Sequence, residues 1–222
     1  MLVLALDTSA DIAVALVRDG AAVAARSAHE QRRHAELLSP LIAEALAEAG
    51  ARPRDLDAIA VGTGPAPFTG LRAGLVTARS LALAVGVPVH GVGSLEVLAA
   101  QSLADASVDA EALVVSDARR KEVYVGRFRA APGNEVEAVE PLAVLHPADV
   151  SRGGATLLVG PAAVAVADVV GLPASPPHSV DPAVLARLAV DRAARGVAVP
   201  TEPLYLRRPD AAPPGAGKRV TG

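Results

Sequence analysis

Cysteine is absent from all 222 residues, so disulfides, thiolate metal sites and a cysteine nucleophile are excluded, a usage that suits a reducing compartment. Aromatic residues are nearly absent too: Phe68, Tyr124, Phe128 and Tyr205 are the complete set. With a formal net charge of −3, the chain offers neither the basic stripe nor the stacking platform that nucleic acids need, so tight direct binding of nucleic acid is not expected. No apolar run reads as long enough to span a bilayer. The N-terminus enters Leu2-Val3-Leu4-Ala5-Leu6 with no basic leader and no cleavage site, and a cytoplasmic protein without membrane association is expected.

What is present is apolar: 51% of the residues are hydrophobic, enough for one large or two small domains. Residues 2–6 form a continuous apolar run that ends in Asp7-Thr8-Ser9, the pattern of a buried strand with a polar exit. Residues 12–17 and 21–25 flank the turn signal Asp19-Gly20, so three antiparallel strands open the fold. Asp7 could ligate a metal-nucleotide or accept turn amides, and the short polar neighbours Thr8 and Ser9 favour the turn.

From His34, Leu37, Leu38, Leu41, Ile42, Ala45, Leu46 and Ala49 fall at helical spacing, with Pro40 predicting a kink or a break after Ser39. His29 and His34 are five apart, whereas a zinc-binding helix places histidines four apart, so no metal site is read here.

The central stretch at 61–74 reads as strand, loop and helix, with Gly62, Gly64, Gly70 and Gly74 around Pro65 and Pro67. Two readings stay open: an anion held at the helix N-terminus, or a rigid elbow that lets helices pack closely. No Lys follows the glycines, and Pro67 stands where the dinucleotide motif needs its third glycine. The helix carries Leu71, Leu75, Ala78, Leu81, Ala82 and Val85, and its small residues Gly70, Gly74, Ala78 and Ala82 lie four apart. A short strand at 87–92 and a helix at 95–103 capped by Ser94 complete a βββαβαβα order.

The second half starts again with an apolar strand that ends in Ser116-Asp117-Ala118-Arg119. Strands at 121–128, 136–139 and 156–159 follow, then a helix at 161–170 and another with Asp181 as cap and Pro182 at its first position. Two such halves, each with an Asp at the exit of its first strand, resemble the actin and sugar-kinase superfamily, which implies an α/β fold of two actin-like ATPase (ribonuclease H-like) domains, the second a shortened repeat. They are placed at 1–105 and 106–208, followed by a Pro/Gly/Ala-rich disordered tail at 209–222.

Asp7-Thr8-Ser9, the stretch Gly-Thr-Gly-Pro-Ala-Pro-Phe-Thr-Gly-Leu-Arg at 62–72, Asp117-Ala118-Arg119 with Glu122-Val123-Tyr124, and the ending Tyr205-Leu206-Arg207 resemble the bacterial TsaB (YeaZ) family of tRNA threonylcarbamoyladenosine biosynthesis proteins. Ala66 and Pro67 depart from the Gly and Ser that the family has in this loop, which makes the loop bulkier and poorer in donors. The resemblance implies a non-catalytic subunit that binds and supports the transferase TsaD, meets the ATPase subunit TsaE through the complex, pairs with itself when alone, and does not bind tRNA strongly. No cofactor is required on this reading; Asp7, Thr8, Ser9, Asp117 and Arg119 are the candidates for a degenerate nucleotide cleft between the domains. The partner or dimer interface is expected at Leu38, Leu41, Ile42 and Ala45 on the first helix and at Gly70, Leu71, Gly74, Leu75 and Ala78 on the second. A nucleotide-binding ATPase-like protein is the alternative. A glycoprotease-type peptidase fits less well, because neither Gly-x-Ser-x-Gly nor His-Glu-x-x-His occurs.

Overall fold

The structure is a computed structural model that describes residues 1–29 and 33–207; the tail expected at 209–222 lies outside them. The first half builds the order expected of it: β1 (Leu2–Asp7), β2 (Ile12–Arg18), β3 (Ala21–Ala28), α1 (His34–Glu48), β4 (Ala58–Gly62), α2 (Phe68–Val85), β5 (Val89–Val92) and α3 (Ser94–Ser102). The strands form one sheet in the order β3-β2-β1-β4-β5. β1, β2 and β3 are antiparallel neighbours, while β4 and β5 join in parallel through the crossovers α1 and α2.

Period-two alternation along β1 explains both faces. Leu2, Leu4 and Leu6 enter a core with α1 and α2, whereas Val3 and Ala5 enter another with the helix at Pro182–Ala194. The small side chains on the second face, among them Ala15, Ala58 and Ala60, let that helix lie close to the sheet.

The second half contains β6 (Glu111–Asp117), β7 (Val123–Ala131), β8 (Glu135–Ala138), β9 (Ala143–Leu145), β10 (Leu157–Val159), α4 (Ala163–Val170) and α5 (Pro182–Ala194). Its sheet runs β10-β6-β7-β8, with the short β9 also paired to β7. Sequence pattern missed β9, a three-residue strand held by pairing Val123, Tyr124 and Val125 with Leu145, Val144 and Ala143. Asp181 caps α5 as expected, its Oδ1 accepting from the Ala183 amide at 2.8 Å.

The boundary at 105/106 separates the two sheets but not the helices that cover them. α5 packs on β1, β2, β4 and β5 of the first sheet, and α3 packs on β6, β7, β8 and β10 of the second. Arg192 of α5 ties this exchange together by bonding Glu96 of α3 and Glu135 of β8, at 2.7 and 2.8 Å.

Three local expectations change. α1 runs through Pro40 without a break. Ser94 does not cap α3; Gly93 takes the cap position, and the Ser94 hydroxyl goes to Asp7. α2 is long and apolar enough to cross a membrane by length and composition, which corrects the expectation that no such run exists. It is apolar on both sides because one face lies in the core and the other carries Val76 and Leu83, 62% and 86% exposed.

Candidate functional site

A cleft of about 770 Å³ opens where the exits of β1 and β6 meet the start of α2, lined among others by Thr8, Ser9, Thr69, Arg72, Asp117 and Arg119. Four of the five residues expected to form the cleft are thus brought together. The fifth, Asp7, is 2% exposed and turned into the chain. Its Oδ1 accepts from the Ser9 amide at 2.8 Å and the Ser9 hydroxyl at 2.5 Å, the turn role that its neighbours favour. Its Oδ2 accepts from Ser94 Oγ at 2.5 Å, and that Oγ in turn accepts from the Gly64 amide at 3.1 Å. A buried carboxylate needs such donors to remain charged. Their consequence is that Asp7 holds the central loop to the exit of β1.

The glycines of the loop are explained by this network more than by an anion. A β-carbon on Gly62 would stand 1.7 Å from Asp7 Oδ2, and one on Gly74 would stand 2.3 Å from Thr8 Oγ1. The rigid-elbow reading therefore accounts for both positions: strand exit and helix touch where a side chain would intervene. Thr8 adds a bond from its hydroxyl to the Gly70 carbonyl at 2.9 Å.

Across the cleft Asp117 Oδ1 accepts from the Arg119 amide at 2.7 Å, and its Oδ2 lies 3.0 Å from the Arg119 guanidinium. Arg119, Arg120 and Lys121 all adopt positive φ, of 64, 55 and 64°. Such a run of non-glycine residues is held by the tight turn between β6 and β7, closed by the Glu122 amide on the Arg119 carbonyl at 3.0 Å. Burial and the nearby Asp117 raise the pKa of Tyr124, which packs behind this turn.

The residues expected to face a partner mostly do not. Leu38, Ile42, Ala45, Leu71, Gly74, Leu75 and Ala78 are buried in the chain's own core, and Leu41 and Gly70 are half-buried. Helical periodicity put them on common faces correctly, but those faces meet the first sheet and each other. The outward stripe of α2 is instead Arg72, Val76, Arg79 and Leu83.

Periodicity gave no signal for the strap that borders this stripe, although its ending Tyr205-Leu206-Arg207 is part of the family resemblance. Past α5 the chain crosses the edge of the first sheet, where the Gly91 amide bonds the Val199 carbonyl at 3.0 Å and the Leu204 amide bonds the Thr63 carbonyl at 2.9 Å. Arg79 Nη2 donates to the Thr201 carbonyl at 2.6 Å. Tyr205 packs against Phe68 with ring centroids 5.0 Å apart and planes tilted by 60°, and the Arg72 guanidinium lies 5.2 and 5.4 Å from the Phe68 and Tyr205 ring centroids. Arg207 then ion-pairs with Glu122, so the strap joins the start of α2 to the second half.

Residues 23–194 match the family model described as TsaD, tRNA N6-adenosine threonylcarbamoyltransferase. An uncharacterized protein of Mycobacterium tuberculosis is 42% identical over 95% of this chain and 94% of its own. The tRNA threonylcarbamoyladenosine biosynthesis protein TsaB of Escherichia coli is 32% identical over 72% of this chain and 71% of its own. The solved structure of YeaZ from Pseudomonas aeruginosa superposes with a TM-score of 0.77 at 28% identity, covering 92% of this chain and 100% of that one.

Proposed function

We propose, from the premise that the chain belongs to the TsaD-like family and within it to the TsaB (YeaZ) proteins of tRNA threonylcarbamoyladenosine biosynthesis, that it is a non-catalytic subunit that docks a TsaD-type transferase on α2. The observation that carries this reading is the outer face of α2. A helix already buried along Leu71, Leu75, Ala78 and Ala82 presents Val76 and Leu83 on its other side, 62% and 86% exposed. Burying such a face in a helix-to-helix contact of ordinary size, about 1,200 to 2,000 Å² in total, yields a specific complex. Pairing of two copies through the same face, in the absence of the transferase, is part of the proposal, and any contact with TsaE runs through the complex.

A supporting rather than catalytic role is favoured by the acids at the two strand exits. Asp7 is engaged by Ser9 and Ser94, and Asp117 by Arg119. Each is committed to holding the fold at the place where a phosphoryl-transfer enzyme presents carboxylates to its metal.

The test is a pull-down of the transferase with Leu83→Arg and with Val76→Arg. Both side chains are exposed, so folding stability should change by no more than about 0.5 kcal/mol. An unpaired arginine in the contact should cost binding several kcal/mol, about a hundredfold or more. Loss of transferase binding and of self-association, with unchanged circular dichroism and with less modified adenosine in cellular tRNA, is the expected outcome. Variants that bind as the parent does place the contact on another face.

A further inference from the structure

The buried polar side chains at the cleft have hydrogen-bond partners with one exception. Asp7, Thr8 and Ser94 are bonded as described. Ser116, 4% exposed and next to last in β6, lines the cleft, and its hydroxyl has no partner among the described residues. A buried hydroxyl without a partner is costly to keep, and its being aimed into a cavity points to a ligand that supplies one.

The same cavity is walled by the start of α2. That helix is 18 residues long and begins at Phe68 without a side-chain cap, and Pro67, Thr69 and Gly70 line the cleft. First-turn amides have no partner within their own helix and carry the positive end of its dipole, so they favour an anion. Arg72 and Arg119 stand on the lining, while the charge of Asp117 is offset by its two bonds to Arg119. Ala10, Ala73, Val76 and Pro161 give the cleft an apolar wall. At about 770 Å³ it lies within the range of sites for small organic molecules, about 300 to 1,000 Å³.

We propose that this cleft binds a small organic anion, a phosphate ester or a carboxylate, without a divalent cation, using the Ser116 hydroxyl and the first-turn amides of α2 as donors. The donors are hydroxyl, amide and guanidinium groups, which recognise oxyanions directly. The apolar wall receives the organic body of the ligand. The site shares Val76 with the outer contact proposed for α2 but not Leu83, so Leu83→Arg tests the contact and Ser116→Ala tests the cleft.

The experiment is calorimetric titration of the purified full chain with inorganic phosphate, adenosine 5′-monophosphate and acetate, each in EDTA and again in Mg²⁺. Saturable binding of at least one of them in EDTA, no tighter in Mg²⁺, is expected; the phosphate and acetate arms separate the two anion chemistries. Ser116→Ala should weaken that binding about ten- to a hundredfold, the worth of one hydrogen bond to a charged group. Because the hydroxyl has no partner among the described residues, the same variant should be at least as stable as the parent, and circular dichroism and melting measured beside the titration separate a loss of binding from a loss of folding. The proposal is overturned if none of the three binds, if binding requires Mg²⁺, or if Ser116→Ala binds as tightly as the parent.

Discussion

A methyl group on Gly62 and one on Gly86 meet very different surroundings, although both are glycines at the end of a regular element. At Gly62 the added carbon would fall on Asp7 Oδ2 and lie 2.9 Å from Ser94 Oγ; at Gly86, where φ is 78°, it would meet nothing within 4 Å. Gly86→Ala therefore costs only the left-handed backbone, about 1 kcal/mol. Gly62→Ala forces the buried carboxylate away from its donors, adding overpacking to a lost charge-assisted bond, about 3 kcal/mol or more. Urea unfolding should show that ordering, and equal midpoints for the two variants would refute the role given to the Asp7 network. Part of this network was legible: Asp7 at a strand exit before two short polar residues is a local turn signal. Its bond to Ser94 was not, since the partner lies 87 residues away and Ser94 in isolation reads as a helix cap.

At the scale of elements, spacing tells which residues share a face of a helix but not what that face meets. Gly70, Gly74 and Ala78 do form a stripe, yet Thr8 and the first sheet occupy the room it creates. Gly74→Arg is consequently expected to damage the fold and reports nothing about a partner, whereas Leu83→Arg reports on the partner alone. The strap was illegible for another reason. Residues 197–207 have no periodicity, and their order comes from backbone bonds to Thr63 and Gly91 together with the grip of Arg72 and Arg79. Arg79→Ala removes the bonds to Thr201 and should loosen the strap over α2. Hydrogen exchange should then quicken at the Gly91 and Leu204 amides and remain unchanged in α1. Unchanged exchange at both amides would show that Tyr205 and Arg72 suffice to hold the strap.

For the whole molecule the decisive feature is that each sheet is covered by a helix from the other half, with the side chains of Arg192 and Glu135 at the crossing only 14% and 15% exposed. Burial alone would raise the pKa of Glu135, but its bonds to Arg192 and Arg195 outweigh this and hold it below the ordinary glutamate value. Glu111 is likewise lowered, chiefly by Arg129, with Arg127 adding to the effect against burial. A carboxylate with a depressed folded-state pKa binds fewer protons in the folded chain than in the unfolded one. Its contribution is therefore complete above the ordinary glutamate pKa, about 4.3, and is lost as pH falls through the depressed value. Thermal stability should accordingly hold near neutrality and fall steeply below about pH 4.3. Glu135→Gln removes one of these groups and leaves Arg192 with Glu96 alone, so stability at pH 7 should drop by about 1 to 3 kcal/mol. The acid limb should at the same time become shallower, because one proton fewer is taken up on unfolding. Both changes must appear together in melting curves measured from pH 7 to pH 3. A lower midpoint with an unaltered acid limb would mean that Glu135 acts through packing, and its ion pair with Arg192, which ties β8 to the helix covering the first sheet, would then not be what makes stability depend on pH.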